Sequence, residues 1–258
     1  LAIVAIIPAR YGSTRLPGKP LSDIHGKPMV QRVHERVRQA RSVERVLVAT
    51  DDERIVRAVE GFGGEALRTS REHASGTDRV AEAVRGIEAE IVVNVQGDEP
   101  MLDPAWIDAA VAALRADAGV SIATLSLPLA GAHEFADPSV VKVVVDGRGE
   151  ALYFSRGAIP YVRLAEPDPR RAADAVVEQG LARRHVGLYA YRRDALARLA
   201  ALPPSPLERA EGLEQLRALQ HGMRIRVVEA KGSPGVAVDT PADLQRVREL
   251  LAELAREA

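Results

Sequence analysis

The sequence contains no cysteine. That excludes disulfides, thiolate-bound zinc and a cysteine nucleophile, and it suits a reducing compartment. It has no excess of charge of either sign, 35 Lys and Arg standing against 36 Asp and Glu. No global basic field therefore draws in nucleic acid or anionic lipid, and any anion site has to be a local cluster. It has no apolar run of membrane-spanning length. The N-terminal LAIVAII is too short and lacks the charged start of a signal peptide. A cytoplasmic protein with neither membrane nor nucleic acid as partner is the expectation. The six histidines show neither HxH nor HExxH spacing, which disfavours a zinc enzyme. No G-x-S-x-G elbow marks a serine hydrolase. Asparagine occurs once, at Asn94, as avoidance of labile amides or a GC-rich genome would each leave it.

What remains is an ordinary globular composition, 47% hydrophobic and 28% charged over 258 residues, with room for a substantial core. Residues 2–7, 45–50, 90–95 and 120–127 are short apolar runs rich in β-branched residues and read as buried strands. Between them lie amphipathic stretches. Over residues 27–40, Pro28 suits a first helical turn and Val30, Val33, Val37 and Ala40 share a face. Residues 51–62 and 104–116 behave alike. This alternation predicts an α/β fold, a mostly parallel twisted sheet with helices on both faces. From about residue 130 the rhythm changes to VVKVVVD, EALYFSR and RHVGLYAYRR, as in a smaller lobe of antiparallel strands. The polar stretch 163–184 reads as a loop or mobile segment. Residues 204–222 read as helix, 224–230 as strand and 240–256 as a closing helix. No linker is evident, so residues 1–258 read as one domain with a subsidiary lobe over about 130–225.

Residues 5–21, AIIPARYGSTRLPGKPL, pose the chemical question. A Walker loop needs G-x-x-x-x-G-K and then Ser or Thr. Here five residues separate Gly12 from Gly18, and Pro20 follows Lys19, so the spacing is too long and the magnesium-holding hydroxyl is missing. Yet the loop follows the first strand, where open α/β sheets place ligands. Arg10, Arg15 and Lys19, set among glycines that let backbone N–H groups approach, suit a triphosphate. The alternative is a solvated loop that is merely basic.

Two further strand ends supply carboxylates. IVVNVQGDEP runs into Asp98, and GVAVDTPADL ends a strand at Asp239, before a helix whose expected cap is Thr240. Both acids would emerge on the edge that carries the basic loop, and their hard oxygens fit Mg²⁺. Taken singly, Asp239 could be a favourable charge at a helix N-terminus and GDEP a simple turn.

These segments, with VATDD, SGTDR, ALYFSR, RHVGLYAY and SPLERAEGLEQLR, occur in one order over nearly the whole chain. Together they resemble the 3-deoxy-manno-octulosonate cytidylyltransferase family. The resemblance implies a homodimeric, Mg²⁺-dependent nucleotidyltransferase of lipopolysaccharide biosynthesis. Such an enzyme moves CMP from CTP to the anomeric hydroxyl of 3-deoxy-manno-octulosonate (Kdo) and releases pyrophosphate. Transfer to a related acidic sugar, 8-amino-Kdo or a sialic acid, is the alternative. A nucleotide-binding regulatory protein with a relic site would not require both carboxylates. On the resemblance, Arg10, Arg15, Lys19 and the backbone near Ser13 and Thr14 meet the phosphates, and Asp98 and Asp239 hold the metal. Lys19, Asp98, Asp239 and Arg15 form the catalytic set. Ser75, Thr77 and Arg79 are candidates for the base, with Arg71 beside them. Ser75 and Asp78 equally fit a helix capping box. For the sugar, the resemblance points to Gln96, Arg156, His185, Tyr189, Glu214 and Gln215. Glu214 and Gln215 equally fit the wet face of a helix packed through Leu213, Leu216 and Leu219.

Overall fold

The computed structural model describes residues 2–12, 15–73, 75–232 and 235–257. The chain forms two compact units, Leu1–Val111 with Gly232–Ala258, and Ala112–Lys231.

The alternating N-terminal half builds a parallel sheet. β1 (Ile3–Ala9) is followed by a small hairpin, β2 (Asp23–Ile24) with β3 (Lys27–Pro28), and then by β4 (Arg45–Thr50), β5 (Glu65–Arg68) and β6 (Ile91–Asn94). β1 pairs in parallel with β4 and with β6, and β4 with β5. β1 and β6 are almost wholly buried, as continuous β-branched runs in a parallel sheet are. The mostly parallel α/β expectation is met. Its helices are α1 (Met29–Val37), α2 (Glu53–Gly61), α3 (Gly76–Ala83) and α4 (Pro104–Ala116), which leads into the second unit. Val30, Val33 and Val37 are all buried, the face that their spacing marked out. β5 has no signal in the sequence, since EALR carries no β-branched residue. The register pairs Ala9 with Thr50 and Thr50 with Arg68, so the carboxyl ends of these strands share one edge.

The unit is closed by α10 (Pro241–Glu257). Val238, Leu244 and Val247 bury against Ile24 and Met29, with Leu16 and Met101 packed alongside. The segment before α10 is not the strand expected to end at Asp239. It has no regular secondary structure there and is held by a backbone bond from Val238 N–H to the Asp98 carbonyl (2.8 Å).

In the second unit β7 (Ile122–Leu127) pairs in parallel with β11 (Ile225–Glu229) and antiparallel with β10 (Arg183–Arg192). β8 (Lys142–Val145) joins β10 to β9 (Ala151–Ser155) by antiparallel pairing. The antiparallel strands expected here are present, with more helix among them than the sequence suggested. α5 (Ala132–Ala136), α6 (Pro169–Glu178), α7 (Arg193–Ala201), α8 (Pro206–Glu211) and α9 (Gln215–Gln220) all lie in this unit. The single helix expected over 204–222 is broken at Gly212, which takes the left-handed conformation (φ 64°). The polar stretch 163–184 is not a loop throughout. Asp168 caps α6 by accepting from Arg170 N–H and Arg171 N–H, and Ala173 and Val176 bury against Phe135. Among the described residues no helix is long and apolar enough to cross a membrane.

Candidate functional site

The strand ends of the first unit converge on a cavity of about 480 Å³. Its lining includes Arg10, Arg15, Lys19, Arg79, Asp98 and Asp239. Each is placed by a local device. Gly18, at φ 69°, caps a 3₁₀ turn over Lys19–Leu21, and its N–H bonds the Tyr11 carbonyl at 3.1 Å. A Cβ on Gly18 would lie 3.1 Å from the Tyr11 ring, besides straining the backbone. Tyr11 is held in turn by the Arg54 guanidinium, 3.3 Å above its ring centroid. Arg54 bonds Asp52 at 2.6 and 2.9 Å, and that partner holds the Asp52 carboxyl down at about 2. The basic loop is thus anchored to the end of β4.

Asp98 follows Gly97, where a Cβ would come within 2.9 Å of the Pro8 carbonyl oxygen. Only glycine lets the chain leaving β6 pass so close to the end of β1. Asp239 is set by its buried neighbour Val238 and by Asp243. The Asp243 carboxylate accepts from the N–H of Asp239 and from the N–H and hydroxyl of Thr240. These bonds, the Thr240 hydroxyl foremost, hold Asp243 below the usual carboxylate range. Thr240 Oγ1 accepts from Asp243 N–H at 3.2 Å, as expected of the cap.

Lys19 joins the two acids. Its ammonium donates to Asp98 Oδ2 at 2.7 Å and to Asp239 Oδ1 at 3.1 Å, with its side chain only 16% exposed. Arg15 reaches the same Asp239 oxygen at 3.2 Å but is 65% exposed, so it holds that contact weakly. The cavity thus holds two carboxylates that share one cation beside two more arginines, residue types that could hold a hard metal ion and a polyanion.

Ser75 lines the cavity and also caps α3, accepting from Asp78 N–H at 3.1 Å, as the helix-cap reading expects. Arg79 lines it as well, 4% exposed, donating to Thr69 Oγ1 at 2.5 Å and lying 3.4 Å from Asp51. A buried guanidinium needs such partners to offset lost hydration. Thr77 is buried in the first turn of α3 and is not part of the lining. Arg71 is exposed, outside the cavity, and its charge falls on Asp52. Ser13 and Thr14 lie outside the described residues. Gln96 lines the cavity.

The other residues assigned to the sugar lie in the second unit. His185 Nε2 sits 2.9 Å from Thr124 Oγ1. That hydroxyl also faces the carbonyls of Val186 (3.1 Å) and Leu188 (2.9 Å), which the register shift in β10 between Val186 and Tyr189 diverts from the ladder. The tautomer that best satisfies these contacts gives the hydroxyl proton to a carbonyl and puts the His185 proton on Nε2, donated to Thr124 Oγ1. Phe154 meets the imidazole edge-on at 5.0 Å and Tyr189 lies at 5.5 Å. Burial pushes His185 down to about 3 and the Tyr189 phenol well above its ordinary value. Glu214 stands at the N-cap of α9, and Gln215, its first residue, is buried. Arg156, just past β9, donates through Nε to the Glu211 carbonyl (2.9 Å) and through Nη1 to the Pro138 carbonyl (3.1 Å).

Sequence reasoning missed His73, which lines the cavity and bonds Glu82. It also missed the Asp51 and Thr69 support of Arg79. The consecutive acids of VATDD, at the end of an apolar strand, were the available signal.

The profile of the Cytidylyltransferase family matches residues 4–225. The chain is 54% identical over 247 residues to a 3-deoxy-manno-octulosonate cytidylyltransferase of Syntrophotalea carbinolica, covering 96% of this chain and 97% of that one. It is likewise 54% identical over 249 residues to one of Geobacter sulfurreducens, covering 96% and 99%. A solved CMP:2-keto-3-deoxy-manno-octonic acid synthetase complexed with CTP superposes with a TM-score of 0.89 at 49% identity, covering 98% of this chain and 99% of that one.

Proposed function

The chain belongs to the 3-deoxy-manno-octulosonate cytidylyltransferase family, and from that premise we propose that it transfers CMP from CTP to the anomeric hydroxyl of Kdo. The hydroxyl oxygen attacks the α-phosphorus, the bond to the β-phosphate oxygen breaks, and pyrophosphate leaves as the hydroxyl proton passes to solvent. The observation that carries this reading is the Lys19 ammonium bridging Asp98 and Asp239 inside a cavity lined by Arg10 and Arg15. Charge builds on phosphate oxygens in such a transfer, so the work is mostly positioning and electrostatics. Lys19, Arg15 and Arg10 neutralise the departing pyrophosphate. Ser75 and Arg79, at the opening of α3, face the base. In the second unit, Arg156 receives the sugar carboxylate. His185, Tyr189, Glu214 and Gln215 supply neutral and anionic partners for its hydroxyls.

Asp98 and Asp239 fit Mg²⁺. Both are hard carboxylates, and one cation already lies within bonding distance of each. Among the described residues no cluster of three acids and histidines forms a complete metal cage. Mg²⁺ bound at one or two carboxylates takes its other ligands from phosphate and water. When bound, it would supply charge neutralisation at the α-phosphate and lower the pKa of the attacking hydroxyl. A cytoplasmic homodimer completes the reading; the exposed Leu152 and Tyr161 of the second unit are apolar surface available for the contact.

Pyrophosphate release, followed by a coupled assay, is expected only when CTP, Mg²⁺ and Kdo are all present. Equal turnover with UTP, or without the sugar, would reject the assignment.

A further inference from the structure

Lys142 is a charged residue that the proposed reaction does not use, and it is fully buried. All three of its ammonium protons are spent on backbone carbonyls: Asp137 at 2.8 Å, Val140 at 2.7 Å and Arg156 at 2.7 Å. Among the described residues no carboxylate pairs with it; Asp137 turns its own carboxylate to the Ser139 N–H at 2.7 Å. Burial accordingly lowers the pKa of Lys142. The Asp137 and Glu211 carboxylates act on it only through space, and a buried cation bonded to neutral carbonyls alone is expensive, often more so than a well-packed apolar chain. What the ammonium does that an apolar chain cannot is tie the 137–140 turn to the end of β9.

Both of those segments bear on Arg156. Its carbonyl is held by Lys142, and its N–H is held by Glu211 Oε2 at 2.8 Å. Its Nε donates to the Glu211 carbonyl and its Nη1 to Pro138, inside the turn that Lys142 gathers. Ser155 braces the same Glu211 carboxylate at 2.7 Å. Nη2 is left without a partner among the described residues, on an exposed side chain. A guanidinium fixed on one flank and open on the other is prepared for a carboxylate and loses little freedom on binding it.

We propose that Lys142 is a positioning residue for Arg156, holding that guanidinium in place for the carboxylate of the acidic sugar. The inference rests on the reading of Arg156 given above. The carboxylate keeps its charge through the reaction, so this contact acts alike on bound substrate and transition state and shows in KM rather than kcat.

The test is a double-mutant cycle in the full-length enzyme with Lys142→Met and Arg156→Met, reading kcat and the KM values for Kdo and CTP. Lys142→Met is expected to raise the KM for Kdo roughly tenfold, with kcat and the KM for CTP within about twofold. In the Arg156→Met background the same change is expected to add nothing, since its effect passes through Arg156. Lys142→Gln, which keeps two N–H donors, should recover part of the loss. If Arg156→Met leaves the KM for Kdo unchanged, the sugar role of Arg156 fails and the inference falls with it. If Arg156→Met raises it but Lys142→Met does not, or the two effects add, Lys142 is no positioning residue while Arg156 keeps its role. Failure of both Lys142 variants to fold would make the lysine a support of the whole unit and overturn the assignment.

Discussion

The environment of His185 makes a quantitative prediction about acid stability. With its proton on Nε2, shared with Thr124, protonation would add a charge at Nδ1 between the Phe154 and Tyr189 rings, where the imidazole is partly shielded from water. Burial lowers its pKa from 6.5 to about 3. The unfolded chain therefore binds this proton more tightly than the folded one. The contribution is fully present above pH 6.5 and is lost as pH falls from 6.5 toward 3. Each pH unit inside that window costs about 1.4 kcal/mol, so going from pH 8 to pH 5 removes about 2 kcal/mol. His185→Gln keeps an amide N–H for Thr124 Oγ1 and cannot titrate. Urea unfolding of both proteins at the two pH values isolates the effect, because every other titrating group is common to them. The wild type should lose about 2 kcal/mol more than the variant. Parallel losses would mean that the imidazole is hydrated in the folded protein, and the argument from its burial would be refuted.

Three further predictions concern the site and its supports. Asp98→Asn should cut pyrophosphate release by roughly 100-fold or more while calorimetry shows CTP affinity changed only a few-fold, because its charge acts mainly in the transition state. Gly97→Ala should lower the unfolding free energy by about 1–3 kcal/mol in thermal melts and reduce turnover too, since the Pro8 carbonyl it meets is backbone and cannot turn aside. Asp168→Ala should cost about 1 kcal/mol and speed amide exchange over residues 169–178, whose first free N–H groups it caps; unchanged exchange there would dismiss the cap.

The first unit was legible wherever one chemical pattern settled the matter. Apolar β-branched runs gave β1, β4 and β6, and the 3.6-residue spacing of Val30, Val33 and Val37 gave α1. Lys19, Asp98 and Asp239 could be brought together from sequence because each lies near a strand end or a helix start, and such ends share an edge in a parallel sheet. The failures have physical causes as well. α6 hides in a polar stretch because only a narrow side of it, Ala173 and Val176, is buried. The D-P pair at 168–169 was a cap signal that charge overshadowed. Arg79 and Asp51 are 28 positions apart in the sequence and meet because α3 packs against β1 and β4, which no local pattern reports. Lys142 reads as one polar residue in a strand; that it is buried is decided by what packs around it.

The rung between Val238 and Asp98 bears on the order of events during synthesis. Translation delivers residues 1–111 first, then the whole second unit, and only afterwards the segment that carries Asp239. Until that segment docks, the nascent protein lacks Asp239 in the cavity and the buried Val238 and Leu244 beside it. On the proposed reading, docking of this segment onto the first unit is the step that completes the pair of carboxylates, and a chain lacking it would have a single acid in the cavity.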